Sequence, residues 1–210
     1  MVTATPPLEQ VAQRTAEALR QSEALLDGHF LLSSGRHAGR YVQCARMLQY
    51  PELAGGVCAD LAQQVQQMTG EEKPFDVVLG PAMGAVTFSY ELGRAFGVRA
   101  LFAERAAEGG FELRRGFTIE PHERVLVAED VVTTGKSAGE VVTMLRAMGV
   151  ENISAASIVN RSGLDNPFGD IPYFRCLDVE VPSWEGAGCP LCADEEIGPA
   201  VKPGSRPGLS

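Results

Sequence analysis

The densest chemistry in the chain lies between Val125 and Ser137, where Val-Leu-Val-Ala-Glu-Asp-Val-Val-Thr-Thr-Gly-Lys-Ser runs from apolar residues through two acids into a hydroxyl-rich turn. Residues 125–128 read as a buried strand, and a helical pattern starts at Ser137. A helix start exposes unpaired N–H groups and the positive end of its dipole, so the turn between the two is a phosphate cradle. Gly135 allows the tight bend, and the hydroxyls of Thr133, Thr134 and Ser137 can donate to phosphate oxygens. Glu129 and Asp130 at the mouth of the turn can accept hydrogen bonds from adjacent hydroxyls, as the 2′- and 3′-OH of a ribose present. Carboxylates at one end and a phosphate nest at the other suit a ribose 5-phosphate. Gly135-Lys136-Ser137 also matches the end of the P-loop pattern G-x-x-x-x-G-K-[ST], but the first glycine of that pattern would stand at position 130, which is Asp130. Two carboxylates would also repel a triphosphate, which argues against nucleotide hydrolysis.

A strand, a turn and a helix in that order need a sheet to hold them. Short apolar runs at 75–79, 99–103, 125–128, 153–159 and 173–177 alternate with helical patterns at 85–96 and 137–148, with Gly97 and Gly149 as helix stops. This rhythm predicts βαβ units, an α/β fold with a mainly parallel five-stranded sheet, and a site beyond the carboxyl ends of its strands. Ahead of it, Thr5 can cap a helix with Pro6 or Pro7 in its first turn, and Leu8, Val11, Ala12, Thr15, Ala18 and Leu19 give that helix an apolar face. Gly28 ends the region, and residues 30–35 and 41–44 predict two short strands about a turn at 35–39. Pro51 opens a second helix whose face carries Leu53, Val57, Leu61, Val65 and Met68, with Gly70 as its stop. Residues 106–117 interrupt the α/β rhythm with paired glycines and paired arginines, which suits a mobile loop or hairpin over a site. The 29 residues from Pro182 hold five of the 13 prolines and five of the 23 glycines, which predicts an extended arm, partly disordered at 202–210. The chain therefore divides at 1–50, 51–181 and 182–210.

Bulk properties bound the function. The 210 residues are 45% hydrophobic and 21% charged, enough for one good core. A net charge of −9 argues against a general nucleic-acid or membrane-surface binder but leaves room for a small anion held by backbone N–H groups. Met1 to Pro7 lack a basic, apolar targeting pattern, and residues 77–90, broken by Gly80, Pro81 and Gly84, are too short to span a bilayer. The expectation is a soluble cytoplasmic protein. Cys44, Cys58 and Cys176 sit in apolar contexts and read as small buried hydrophobes. Cys189 and Cys192 have zinc-like spacing without a second pair, and His29, His37 and His122 are remote from them in sequence, so free thiols or a tail turn are expected.

The stretch from Val125 to Ser137 resembles the signature of type I phosphoribosyltransferases, and Glu129-Asp130-Val131-Val132-Thr133-Thr134-Gly135 is close to the form seen in the orotate branch of that family. Three further segments are similar to that branch. Gly28-His29-Phe30-Leu31-Leu32-Ser33-Ser34-Gly35-Arg36-His37 looks like its F-x-L-x-S-G element, Gly80-Pro81-Ala82-Met83-Gly84 like its pyrophosphate loop, and Asn160-Arg161-Ser162 like its arginine after the next strand. The C-P-L-C and V-K-P-G-S-R tail looks like one bacterial branch.

The resemblance implies the type I phosphoribosyltransferase fold, with a small N-terminal hood and a flexible catalytic loop. It also implies transfer of the ribose 5-phosphate of phosphoribosyl pyrophosphate (PRPP) to orotate, in pyrimidine synthesis. Glu129, Asp130, Val131, Val132, Thr133, Thr134, Gly135, Lys136 and Ser137 would hold the ribose 5-phosphate, and Pro81, Ala82, Met83 and Gly84 the pyrophosphate. Thr133, Arg161, Phe30, Ser34 and Gly35 would face orotate, with the guanidinium fork matching a planar anionic base. His29 and His37 flank the hood element and could touch substrate. Mg²⁺ is the implied cofactor, carried by PRPP and water with no side chain ligating metal directly. The family's loop lysines and histidine are absent from 101–120, and Gly84 and Ser33 stand where lysines are common. Arg105, Arg114 and Arg115 are the expected replacements, joining Glu129 and Asp130 as catalytic candidates. A homodimer sharing the loop across its interface is implied, with no nucleic-acid or membrane partner. Two other readings remain: a purine or uracil enzyme on the same scaffold, and a non-catalytic PRPP-binding regulator.

Overall fold

The computed structural model describes residues 8–32, 34–194 and 196–203. The expected Thr5 cap, Ser33 and the tail beyond residue 203 lie outside them. In chain order the elements are α1 Leu8–Gln21, β1 Leu25–Leu31, β2 His37–Val42, α2 Ala45–Leu48, α3 Pro51–Thr69, β3 Val77–Pro81, α4 Val86–Phe96, β4 Arg99–Arg105, β5 Phe111–Glu112, β6 Val125–Val132, α5 Lys136–Ala147, β7 Ile153–Asn160, β8 Tyr173–Asp178 and β9 Ser183–Trp184.

The inner strands of the main sheet, β3, β6 and β7, are short runs of mostly buried and mostly apolar residues. Val77 and Leu79 face one side and Val78 the other; Val125 and Val127 oppose Leu126 and Ala128 in the same way. One face packs on α1, α3 and α4, the other on α5 and the β4–β5 hairpin. A strand covered on both faces has no polar side, which is why these runs lack the polar alternation of a half-exposed sheet. The order is β5-β4-β3-β6-β7-β8, with every neighbouring pair parallel except β4–β5. The five expected parallel strands are present. The sixth, β5, corrects the strand count; at two residues it is too short to carry a period of its own.

Helix ends follow the glycines. Gly70 and Gly97 cap α3 and α4 with φ of 73° and 66°, in the left-handed region that a side chain disfavours. Met68 departs from the predicted stripe of α3: it is 62% exposed, because the helix's final turn runs past the core. Cys44, Cys58 and Cys176 are buried as expected.

A second, three-stranded sheet of order β1-β2-β9 forms the hood. Gly28 does not end a helical region. It lies within β1 at an irregularity between Asp27 and Phe30, and a Cβ there would sit 3.1 Å from the Phe30 ring. The strands begin earlier than predicted, since β1 starts at Leu25 and β2 at His37. The chain after Pro182 folds back over this hairpin. Ala38 pairs with Ser183 and His37 with Trp184, and farther on Leu31 N–H donates to Val201 O at 2.8 Å while Val201 N–H donates to His29 O at 2.9 Å. Among the described residues no helix is long and apolar enough to cross a membrane.

Candidate active site

The sheet ends converge. Pro81, Arg105, Val132, Asn160 and Asp178 are the last residues of β3, β4, β6, β7 and β8, so the loops that follow them share one edge. On β6, Glu129 and Asp130 are the last polar residues before the turn. Gly135 opens α5 with φ 74°, and a Cβ there would meet the Phe168 ring at 3.1 Å. Both conformation and space therefore demand glycine at this position. No side chain caps α5. Lys136 N–H donates to Thr134 Oγ1 at 3.4 Å, a weak local contact, and the Ala138 N–H donates to the Glu129 carboxylate. Thr133, Thr134 and the Lys136 side chain are exposed around this helix start. An uncapped N-terminus ringed by hydroxyls is a site for an anion.

The acid pair is electrostatically poised. Burial first, and then the neighbouring Asp130, push the Glu129 carboxyl up to about 7. Burial likewise raises Asp130, against backbone N–H groups that favour its charged form. The pyrophosphate-loop candidate comes directly to it: a Cβ on Gly84 would lie 3.3 Å from Asp130 Oδ1. Pro81 is buried, Met83 is 84% exposed, the Ala82–Met83 peptide is cis, and Ala82 N–H donates to Ala103 O at 2.8 Å.

Arg161 follows β7 and is tied to the turn strand by its own N–H, which donates to Val132 O at 2.8 Å. Its Nε is buried and has no hydrogen-bond partner among the described residues, and burial lowers the guanidinium's pKa while the nearby Tyr41 opposes that shift. A buried cationic donor with an open position asks for an anion or acceptor. Arg161 lines a cleft of about 590 Å³ with Ser162, Leu164, Asp178 and Glu180. Phe30 is buried, its ring centroid 5.8 Å from that of Tyr41, and the Tyr41 hydroxyl lies in electrostatic reach of Arg161. Ser34 and Gly35 form the exposed tip of the hood hairpin.

The 106–117 segment is a hairpin closed by Ala106 N–H on Gly110 O at 3.2 Å, with Gly109 and Gly110 at positive φ. Arg105 at the end of β4 and the segment's Arg114 and Arg115 are all paired, with Glu140, Glu112 and Glu104 respectively. Of the three, Arg105 acts on the acid pair, lowering the Glu129 pKa.

Two features leave little trace in the sequence. Spacing gives Tyr41 only a place in a short strand. His29, His37, Cys189 and Cys192, expected to be unconnected, bring their ligand atoms within 4.8 Å of one another. The C-x-x-C spacing was the available signal; the fold supplies the second pair.

Residues 51–196 match the family model described as "Phosphoribosyl transferase domain". The chain is 48% identical over 190 residues to the orotate phosphoribosyltransferase of Caldicellulosiruptor bescii, covering 90% of this chain and 95% of that protein. It is 47% identical over 199 residues to the one from Acidithiobacillus ferrooxidans, covering 95% and 99%. Among solved structures, the orotate phosphoribosyltransferase of Mycobacterium tuberculosis in complex with inorganic phosphate shares the fold, with TM-score 0.60, 24% identity and coverage of 80% of this chain and 96% of that one. By the family model over residues 51–196 and by its identity to these relatives, the chain belongs to the phosphoribosyl transferase family, among its orotate phosphoribosyltransferases.

Proposed function

We propose that the chain transfers the 5-phosphoribosyl group of PRPP to N1 of orotate, giving orotidine 5′-monophosphate and pyrophosphate. The observation that carries the base assignment is the buried Arg161 Nε with no partner, beside a sheet-edge cradle built for a sugar phosphate. The start of α5 and the hydroxyls of Thr133, Thr134 and Ser137 take the 5-phosphate. Glu129 and Asp130 take the ribose 2′- and 3′-OH. Arg161 and Thr133 hold orotate, with Tyr41 beside them and the Ser34–Gly35 tip closing over. Pro81 to Gly84 receive the pyrophosphate.

In the reaction the N1 lone pair of the orotate anion forms the bond to C1′. The C1′–O bond breaks, and its electron pair leaves on pyrophosphate. Positive charge grows at the sugar between those events, and the ionised Glu129 and Asp130 are fixed where they stabilise it. Water must be kept from that centre, which is the role proposed for the 106–117 hairpin, pivoting at Gly109 and Gly110. Arg105 then brings charge to the pyrophosphate by leaving Glu140.

Mg²⁺ fits this edge. Burial first and the neighbouring Asp130 second raise the Glu129 carboxyl to about 7, so the acid pair would favour a dication nearby, and Glu129 and Asp130 are the residues that would face Mg²⁺ carried by PRPP. Bound there, it supplies charge neutralisation of the leaving pyrophosphate. A cytoplasmic homodimer completes the proposal. Tyr90 on α4 is 64% exposed beside an apolar cleft lined by Val86, Leu101 and Phe102, a surface that suits a second copy. The test is loss of orotate absorbance with PRPP and Mg²⁺, with adenine, guanine, hypoxanthine and uracil in parallel. Turnover of orotate alone is expected; turnover of another base, or PRPP binding without turnover, would overturn the assignment.

A further inference from the structure

The hood carries a second constellation, built from parts of the chain far apart in sequence. His29 Nε2 lies 2.8 Å from His37 Nδ1, 3.6 Å from Cys189 Sγ and 3.7 Å from Cys192 Sγ. Cys192 Sγ lies 3.2 Å from His37 Nδ1. All four ligand atoms fall within 4.8 Å of one another. A tetrahedral zinc with Zn–N of about 2.0–2.1 Å and Zn–S of about 2.3 Å spaces its ligands about 3.3 Å N to N, 3.6 Å N to S and 3.8 Å S to S. The observed N-to-S edges bracket that value, and the nitrogens need to part by only about 0.5 Å to admit the ion.

The surroundings fix the ligand chemistry. His29 Nδ1 stands 2.9 Å from the Gly198 carbonyl oxygen, which can only accept, so the proton sits on Nδ1 and the Nε2 lone pair points into the cluster. Two consecutive 3₁₀ turns, Gly186–Gly188 and Pro190–Ala193, carry the C-P-L-C segment and turn both sulfurs to the same side. His29 and Cys189 are each 5% exposed. All five cysteines are free thiols. Two thiolates, two neutral imidazoles and a dication sum to zero charge, which suits a site whose inner half, His29 and Cys189, is buried while Cys192 is exposed.

We infer that His29, His37, Cys189 and Cys192 form a Cys₂His₂ site for one structural zinc ion per chain, stapling the C-terminal segment to the hood. Four protein ligands leave no open position for water or substrate, so the ion is structural rather than catalytic. Zinc enters by displacing the two thiol protons, and no oxidant or reductant is required. Both histidines flank the hairpin whose tip is Ser34–Gly35, while both cysteines belong to the segment that adds β9 to the same sheet. The ion therefore closes a loop spanning most of the chain, adding to a two-residue strand, the Phe30–Val201 bridge and the bonds of Arg36 to Ser183 and Glu185.

Protein made without a polyhistidine tag and purified without chelator should carry close to one zinc per chain by inductively coupled plasma mass spectrometry. Cys192→Ser and His37→Gln should each lower that content by about tenfold or more, while Cys58→Ser, a buried thiol remote from the cluster, should leave it unchanged. Should the ligand variants fail to fold, the wild-type chain decides alone. After chelation under reducing conditions, cobalt(II) titration should give the intense visible bands of a tetrahedral ion with a thiolate charge-transfer band, saturating at one equivalent. Absence of zinc in the isolated protein together with an octahedral cobalt spectrum overturns the site. So does retention of full zinc content by both ligand variants. Metal content and spectrum do not depend on which base the enzyme uses, so failure here is separable from failure of the orotate assignment.

Discussion

Replacing Glu129 with glutamine should stabilise the unliganded protein at pH 8 while removing its activity. The Glu129 carboxyl is pushed from its ordinary value of 4.5 up to about 7, by burial first and Asp130 second. Between those values the native state binds more protons than the unfolded chain. The stability that Glu129 contributes is therefore complete below about pH 4.5 and is lost as pH rises through about 7. At about 1.4 kcal/mol per pKa unit the full effect is about 3 kcal/mol, and water reaching a partly exposed carboxylate reduces it towards about 2. Glutamine is the neutral isostere and keeps an acceptor for the Ala138 N–H, so it removes the charge and little else. Urea unfolding of both proteins at pH 5 and pH 8 measures the gap directly. The variant should exceed wild type by about 2–3 kcal/mol at pH 8 and by under about 1 kcal/mol at pH 5, and thermal midpoints should separate by about 4–10 °C at the higher pH. Equal stabilities at pH 8, or a gap that ignores pH, would show that Glu129 is not held near neutrality and would remove the charge-crowding argument for the acid pair.

Binding of PRPP with Mg²⁺ should release about half a proton from Glu129 at pH 7, read by calorimetry in buffers of different ionisation enthalpy; uptake of protons would contradict the proposed ribose contact. Asp130→Asn should keep the far-ultraviolet circular dichroism of the fold and lower kcat/KM by about 10²–10³, and near-normal turnover would reject the assignment. Arg161→Ala should raise KM for orotate by about 10- to 150-fold, the equivalent of a charge-assisted bond of about 1.5–3 kcal/mol, and leave KM for PRPP within about threefold. If loop arginines act across a two-fold interface, mixing Arg114→Ala/Arg115→Ala chains with Asp130→Asn chains should restore about a quarter of the sites; recovery near zero after verified exchange would confine those arginines to their own subunit.

The sheet and the strand–turn–helix that carries the candidate sugar-phosphate residues are readable because their signals are local. Val125–Ser137 holds the buried strand, both acids, the glycine that needs a positive φ and the helix start within 13 residues. The same stretch also declared its own exception to the P-loop at Asp130. Arg161 could be placed because residues 153–159 read as a mostly apolar strand and the arginine follows directly after Asn160, where that strand ends. The loop arginines were identified by type but not by state. Sequence offers Glu104, Glu112 and Glu140 only as nearby acids, and whether a guanidinium pairs with one of them or swings to substrate depends on the hairpin's closure.

The hood was harder to read for a physical reason rather than for want of motifs. Its third strand comes from residues 183–184, its Phe30 bridge from Val201, and its metal-ligand cluster from histidines and cysteines as much as 163 positions apart. None of these pairings leaves a periodic trace, since a two-residue strand has no alternation and C-x-x-C alone has too few ligands. They become necessary only once the main sheet has fixed where Pro182 emerges. The hood is thus the part of the chain built from the most distant segments. That is where a structural ion gains most, because a cross-link closing a long loop removes more freedom from the unfolded chain than one closing a short loop. The cradle on β6 and α5, held by a sheet buried on both faces, needs no such support.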